Sequence, residues 1–286
     1  MIKYNFHTHS LFSDGSAAPE AYIKEAIRQQ FKGLGFTEHS SLPFDNTFAL
    51  KNGNEKAYCK EINRLKKEYK SELEVFLALE ADYIPSISKS FSELKNSLGL
   101  DYIIGSVHLV KGATPDSGLW FIDGPKIEIY DEGIKAVFNG DIKTAITTYW
   151  HQVNSMIESE DFDIIGHLDK IKMHNKGRWF NESDTWYVAL IDETIDLIKQ
   201  KDLIVEVNTR GIYKGRSNSL FPGNSILTKL AQKGIRIMLN SDAHHPEEIS
   251  LYFNEAVETL KECGYNSVWI FETSGIRALP LSNLPS

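Results

Sequence analysis

The sequence predicts a single α/β domain built on parallel strands, of the size of one α/β barrel. Three observations carry that prediction. The chain has 286 residues, 42% of them hydrophobic, which suits one barrel with a large core. Eight short apolar runs alternate with longer amphipathic stretches, the pattern of strands joined by crossover helices. Histidines and carboxylates collect where the runs end, the end of a barrel strand at which functional loops converge.

Taken in order, the first run (3–6) leads into His7 and His9, with Asp14 a few residues on. Pro19 then opens the helix "PEAYIKEAIRQQ", since proline suits a first helical turn. The second run (33–37) ends in "TEHS", with Glu38 and His39, and residues 41–58 are loop-like. The third (74–79) ends in "LALEAD", with Glu80 and Asp82, and the fourth (102–107) in "GSVH", with His108. Residues 109–141 break the alternation with Gly, Pro, Asp and aromatics ("ATPDSGLWFIDGPKIEIYDEG"). A loop of that length points to a functional segment, here a lid carrying Trp120, Phe121 and Tyr130 over a site. The fifth run (162–166) ends in "IIGHLD", with His167 and Asp169, and the sixth (203–208) in "VEVNTRG". The helix "SILTKLAQKG" stops at Gly234. The seventh run (236–240) ends in "NSDAHH", with Asp242, His244 and His245, and the eighth covers 267–271. No Pro/Ser-rich linker or internal repeat divides the chain, so residues 1–286 read as one domain.

Composition narrows the function classes. A formal charge of −8 argues against a nucleic-acid polymer as partner, because such domains carry basic surfaces. Cys59 and Cys263 form neither a disulfide framework nor a CxxC pair, which favours a reduced, cytoplasmic setting. The N-terminus has no apolar signal region, and no run of about 18 apolar residues suggests a membrane span. A monomer is the default expectation.

Six of the nine histidines (7, 9, 39, 108, 167, 244) lie at strand ends. Residues two apart on an extended chain face the same way, so His7 and His9 aim at one place, as do Asp242 and His244, while His245 points away. With Asp14, Glu80 and Asp242, these donors outnumber the three or four protein ligands of one catalytic zinc. They suit two or three ions with a bridging carboxylate, and the all-N/O set suits Zn, Mn or Fe(II). Glu38 reads as facing away and structural, Asp82 and Asp169 as salt-bridging or supporting groups, and His151 and His174 as surface or packing residues.

In this order, these residues resemble the polymerase and histidinol phosphatase (PHP) superfamily. The resemblance implies a distorted (β/α)7 TIM-like barrel holding up to three divalent ions. It implies His7, His9, Glu80 and Asp242 as ligands of one ion and Glu80, His108 and His167 of a second. Asp14, His39 and His244 would hold the third. The segments "HTHSLFSDG", "GFTEHS", "IIGSVHLV", "DIIGHLDKIK", "VEVNTRGIYKG" and "NSDAHHPEEI" are similar to the histidinol-phosphate phosphatase branch.

The expected reaction is hydrolysis of a phosphate monoester, L-histidinol phosphate in histidine biosynthesis, by in-line attack of a hydroxide bridging two ions. Asp242 or His244 would protonate the leaving alkoxide. Arg210, Arg178 and Arg216 are the candidate phosphate-binding residues, because a guanidinium offers two parallel hydrogen bonds to phosphate. Acidic or aromatic residues of 109–141 would hold the rest of the substrate. Two other readings stay open: a phosphoesterase acting on nucleotides or oligonucleotides, and a non-catalytic metal-binding scaffold.

Overall fold

Seven parallel strands wrap into a nearly closed barrel, and the segments that close it carry the histidines. The computed structural model describes residues 2–114 and 117–283. Its strands are β1 (Tyr4–Asn5), β2 (Gly33–His39), β3 (Glu74–Asp82), β4 (Tyr102–Ser106), β5 (Leu109–Lys111), β6 (Leu119–Phe121), β7 (Ile164–Ile165), β8 (Ile204–Asn208), β9 (Ile237–Asn240), β10 (Ser267–Glu272) and β11 (Gly275–Pro280). Between them lie α1 (Pro19–Arg28), α2 (Glu55–Glu68), α3 (Phe91–Leu98), α4 (Ile127–Phe138), α5 (Ile142–Ser159), α6 (Thr185–Lys201), α7 (Arg210–Tyr213), α8 (Asn224–Gln232) and α9 (Phe253–Glu262). The barrel sheet runs β1-β2-β3-β4-β7-β8-β9. A parallel bridge between Thr8 and Ala243 joins its two ends. There His9 N donates to the Ala243 carbonyl at 2.8 Å and Ala243 N to the His7 carbonyl at 3.1 Å.

The strands are apolar on both faces because both faces are covered. Every residue of β2 is buried, as is all of β3 after Glu74, the pattern of a parallel sheet wrapped by helices. Pro19 starts α1 as expected. Gly234 ends the turn after α8 with φ +63°, and Ile235 N reaches back to the Leu230 carbonyl. That left-handed residue suits glycine because no Cβ opposes it.

Two expectations are corrected. The eighth apolar run is a strand but stays outside the parallel sheet: β10 pairs antiparallel with β11. Phe271 of this hairpin packs against Phe6, Phe76 and Tyr102, so the hairpin caps the amino end of the barrel, opposite the histidines. Residues 109–141 hold the β5–β6 hairpin and α4, with positions 115 and 116 outside the described residues. Trp120 and Tyr130 do not face a site. Both are fully buried, with ring centroids 4.9 Å apart, and Trp120 Nε1 donates to the Tyr130 carbonyl. Gly133 permits this packing, because a Cβ there would stand 2.1 Å from the Trp120 ring. These aromatics join the insertion to the main hydrophobic core, and the Tyr130 hydroxyl donates to the Ile171 carbonyl.

Gly35 marks the tightest point of the barrel floor. A Cβ there would lie 1.8 Å from the Tyr102 hydroxyl, which donates to the Phe6 carbonyl at 2.6 Å. Gly35→Ala should destabilise the protein by about 1–3 kcal/mol through overpacking. Adding Tyr102→Phe removes the clashing oxygen and should restore part of the loss. Urea unfolding of the two variants checks this; no recovery in the double variant would place the strain elsewhere.

Candidate metal centre

The predicted residues meet at the carboxyl end of the barrel around one buried carboxylate. Glu80 lies on β3, 1% exposed. Its Oε2 stands 3.1 Å from His7 Nε2, 3.4 Å from His9 Nε2 and 3.2 Å from His39 Nδ1. Its Oε1 stands 2.8 Å from His167 Nε2 and 3.4 Å from His108 Nε2, and accepts from Ser106 Oγ at 2.7 Å. Asp242 Oδ1 lies 3.4 Å from His9 Nε2 and 3.4 Å from His244 Nδ1. Asp14 sits at the rim, its Oδ2 3.2 Å from His244 Nε2 and its Oδ1 3.8 Å from His39 Nε2.

The turn chemistry differs from the extended geometry expected for Asp242 and His244. Strand β9 ends at Asn240, and Asp242 adopts φ +54°, a left-handed conformation that Asp tolerates better than most residues. The turn, not strand alternation, brings both side chains inward. His245 stays out, capping the short helical turn Pro246–Glu248.

This arrangement fits divalent cations. Buried imidazole nitrogens normally find a partner, yet His9 Nδ1, His39 Nδ1 and His108 Nδ1 make no hydrogen bond. His7 Nε2 and His9 Nε2 stand 3.0 Å apart, and His108 Nε2 and His167 Nε2 3.2 Å apart. Two nitrogens on one tetrahedral ion with metal–N bonds of about 2.0–2.1 Å sit roughly 3.3 Å apart. Three groupings of ligand atoms are close enough to hold an ion: His9, Asp14, His39 and His244; His7, His9 and Asp242; His39, Glu80 and His108. They draw on the expected residues except His167, which belongs to none of them, and divide the rest differently. His39 falls near Glu80 as well as Asp14, and His9 is shared by two groupings.

Electrostatics point the same way. Burial works to raise the Glu80 pKa, but the charges of His7, His39 and His108 hold it well below the usual carboxylate range. Asp242 is held down likewise by His7, Lys170 and Arg210, against burial. Burial opposes a charge on His9, but hydrogen bonding to Asp242 and Glu80 raises its pKa to about 9. The carboxylates Asp123, Glu80 and Asp82 raise His108 to about 9 against the same penalty. Burial lowers His39 to about 3 and His244 to about 4. Without metal, protons thus supply part of the positive charge that the buried carboxylates require.

Supporting residues explain how the centre is held. Glu206 of β8 was not singled out in the sequence. Its Oε1 stands 2.5 Å from His7 Nδ1 and its Oε2 accepts from the His167 amide. Asn208 and Asn240 donate to Glu206, and Asn208 also to Asp242. A charged residue two before Asn208 in the apolar run "IVEVN" was the available signal. Glu38 is structural as read: it accepts from Ser10 N, Ser10 Oγ and Ser13 Oγ, tying down the loop that bears Asp14. Asp82 accepts from the His108 amide. Asp169 pairs with Lys172 and accepts from the Gly223 amide.

A cavity opens over the centre, lined in part by Asp14, His39, Glu80, His108, Asp242 and His244. Arg210 and Arg216 line it, and so do Lys170 and Asp123, which sequence reasoning missed. Arg210 is anchored by an Nη1 hydrogen bond to the Asp242 carbonyl at 2.8 Å. Arg178 does not belong here. Its guanidinium forms a two-pronged pair with Asp131, at 2.8 Å for each bond, on α4 outside the cavity. The sequence neighbourhood could not reveal that acidic partner, 47 residues away.

Fold and site define a barrel with a multi-ion centre at its mouth. The chain belongs to the PHP domain family, whose model matches residues 5–210. It is 29% identical over 266 residues to a Deinococcus radiodurans protein named "Probable histidinol-phosphatase", covering 92% of this chain and 94% of that one. It is 26% identical to the histidinol-phosphatase of Bacillus subtilis, covering 90% and 99%. Two solved structures share the fold. The hisK protein of Listeria monocytogenes superposes with TM-score 0.77 at 22% identity, covering 88% of this chain and 99% of that one. Histidinol phosphate phosphatase from Lactococcus lactis, complexed with Zn, L-histidinol and phosphate, superposes with TM-score 0.66 at 21% identity, covering 96% and 98%.

Metal binding should release protons. His7, whose pKa is raised well above its ordinary value, and His9 and His108, near 9, carry protons at about pH 7.5, and a metal needs their lone pairs. Calorimetric titration of the metal-free protein with Zn or Mn, in buffers of different ionisation heat, should show proton release. The part of the release owed to His9 and His108 should fade as pH rises through about 9, where these two imidazoles are already neutral, with affinity rising over the same range. A proton count of zero at about pH 7.5 would contradict this account.

Proposed function

We propose that this protein is a metal-dependent phosphomonoesterase that hydrolyses L-histidinol phosphate to L-histidinol and phosphate in histidine biosynthesis. The observation that carries the reading is Glu80, ringed by His7, His9, His39, His108 and His167 beneath a cavity flanked by Arg210 and Arg216. Curated relatives aligned over nine tenths of the chain are named histidinol-phosphatases, which supports the choice of substrate.

On this reading His7, His9, Glu80 and Asp242 hold one ion; Glu80, His108 and His167 a second; and Asp14, His39 and His244 a third. Glu80 is suited to bridging, since its two oxygens face different sets of imidazoles. Bound divalent ions acidify water for attack and neutralise phosphoryl oxygens. The protein's own groups do the rest. Arg210, fixed by the Asp242 carbonyl, and Arg216 orient the phosphate. Lys170, 2.9 Å from Asp123 and 3.8 Å from Asp242, adds positive charge at the same wall. Asp242 or His244, both on the cavity and both held unprotonated near neutral pH, would relay to the leaving alkoxide the proton given up by the attacking water. The insertion 109–141 acts as a lid through Phe121 and Pro125, which line the cavity. The chain works as one domain, in the cytoplasm. No helix among the described residues is long and apolar enough to cross a membrane.

The deciding experiment is phosphate release by protein reconstituted with Mn or Zn, comparing L-histidinol phosphate with AMP. Strong preference for histidinol phosphate, abolished in His9→Ala, is expected; preference for AMP would overturn the substrate. Arg216→Ala should lower kcat/KM about 10- to 100-fold, as loss of a charge-assisted phosphate contact does. Arg178→Ala should leave kcat/KM within about twofold, since Asp131 holds it outside the cavity. Equal effects of the two changes would return Arg178 to the site.

A further inference from the structure

Metal ligands and phosphate-holding cations use most of the cavity wall, but one lining carboxylate has neither role. Asp123 follows β6, in the insertion, with its side chain 10% exposed. It lines the cavity with Phe121, Pro125, His108 and Lys170, yet belongs to none of the three ion-holding groupings among the described residues. Its Oδ2 pairs with Lys170 Nζ at 2.9 Å, while its Oδ1 is buried with no hydrogen-bond partner. Burial works against its charge, but Lys170 and His108 hold its pKa down to about 2, so the group stays ionised. A buried, ionised oxygen without a donor is an arrangement that a ligand cation would relieve.

The position suits one kind of ligand. Lys170 lies between Asp123 and Asp242, 2.9 Å from the first and 3.8 Å from the second, so Asp123 stands one ammonium's width from the metal centre. In an amino-alcohol phosphate the ammonium sits two carbons from the ester oxygen. A phosphoryl group over the ions would bring that ammonium to the wall beside them. Phe48 and Phe121, with ring centroids 5.5 Å apart, line the same cavity and offer an apolar flank to a flat side chain.

We propose that Asp123 is the specificity residue of this site, receiving at its carboxylate the ammonium of an amino-alcohol phosphate ester. The assignment rests on reading the cavity as a phosphomonoesterase site. A site built around an unpaired charge rejects the analogue that cannot satisfy it. Asp123 therefore sets which phosphate monoesters are hydrolysed efficiently, and leaves the phosphoryl chemistry to the ions and arginines.

The test compares L-histidinol phosphate with imidazolylpropyl phosphate, the same ester without its amine, on metal-loaded protein. The wild type should prefer the amine ester by about 100-fold or more in kcat/KM. Asp123→Asn should abolish most of that preference by slowing the amine ester alone, while Asp123→Glu, which keeps the charge, should retain part of it. Bound metal per chain, measured by elemental analysis, should be unchanged in Asp123→Asn, and L-histidinol binding measured by calorimetry should weaken by a similar factor. A wild type indifferent to the amine would overturn the assignment. So would an equal loss with both esters, which would make Asp123 a support for Lys170, or a fall in bound metal, which would make it a ligand. If the wild type released phosphate from neither ester, the reaction and the assignment would fall together; hydrolysis of both without preference would remove the assignment alone.

Discussion

The arrangement on which everything else depends is the burial of the Glu80 carboxylate among five imidazoles at the mouth of the barrel. An ionised carboxylate at 1% exposure is tolerable only if positive charge is delivered to it. Protons on His7, His9 and His108 do this in part. Of the three, His108 reaches about 9 because Asp123, Glu80 and Asp82 surround it. Divalent ions compensate the same charge more fully, and the facing nitrogen pairs His7 Nε2–His9 Nε2 and His108 Nε2–His167 Nε2 are spaced to share them. The barrel and its cation requirement are therefore two sides of one electrostatic constraint.

A second layer of polar residues turns that constraint into geometry. Glu206 fixes the His7 ring through Nδ1 and the His167 backbone through its amide. It is in turn held by Asn208 and Asn240. Such partners set the orientation and basicity of the imidazoles they touch. Glu38 does equivalent work for the loop after His9, where its oxygens gather Ser10 and Ser13. Both carboxylates are fully buried, so satisfied polar groups behind the site position its side chains where strand geometry alone would not.

The closure of the barrel is coupled to the same residues. The Thr8–Ala243 bridge lies between His7 and His9 on one side and between Asp242 and His244 on the other. Joining the first and last strands of the sheet therefore also assembles ligands from opposite ends of the chain. At the other end of the barrel, the β10–β11 hairpin packs Phe271 onto Phe6, Phe76 and Tyr102. Aromatic packing seals the floor, and the charged chemistry is confined to the mouth.

Local pattern was enough for the strand–helix alternation, for the seven runs that form the parallel sheet and for the nine histidines and carboxylates that gather at the barrel mouth, because strand ends and residue type are properties of neighbouring positions. It was also enough for Glu38 as a structural group, since alternation turns it away from His39. Contacts between distant segments required the folded chain. Arg178 left the site because Asp131 lies beside it only after α4 packs. Trp120 and Tyr130 became a buried pair because Gly133 lets them approach. Glu206, Lys170 and Asp123 reach the barrel mouth through partners that no local pattern connects to them. Residue type and spacing thus determine which groups can reach the barrel mouth, whereas their division among ions and substrate depends on distances across the barrel, set by the packing of the whole chain.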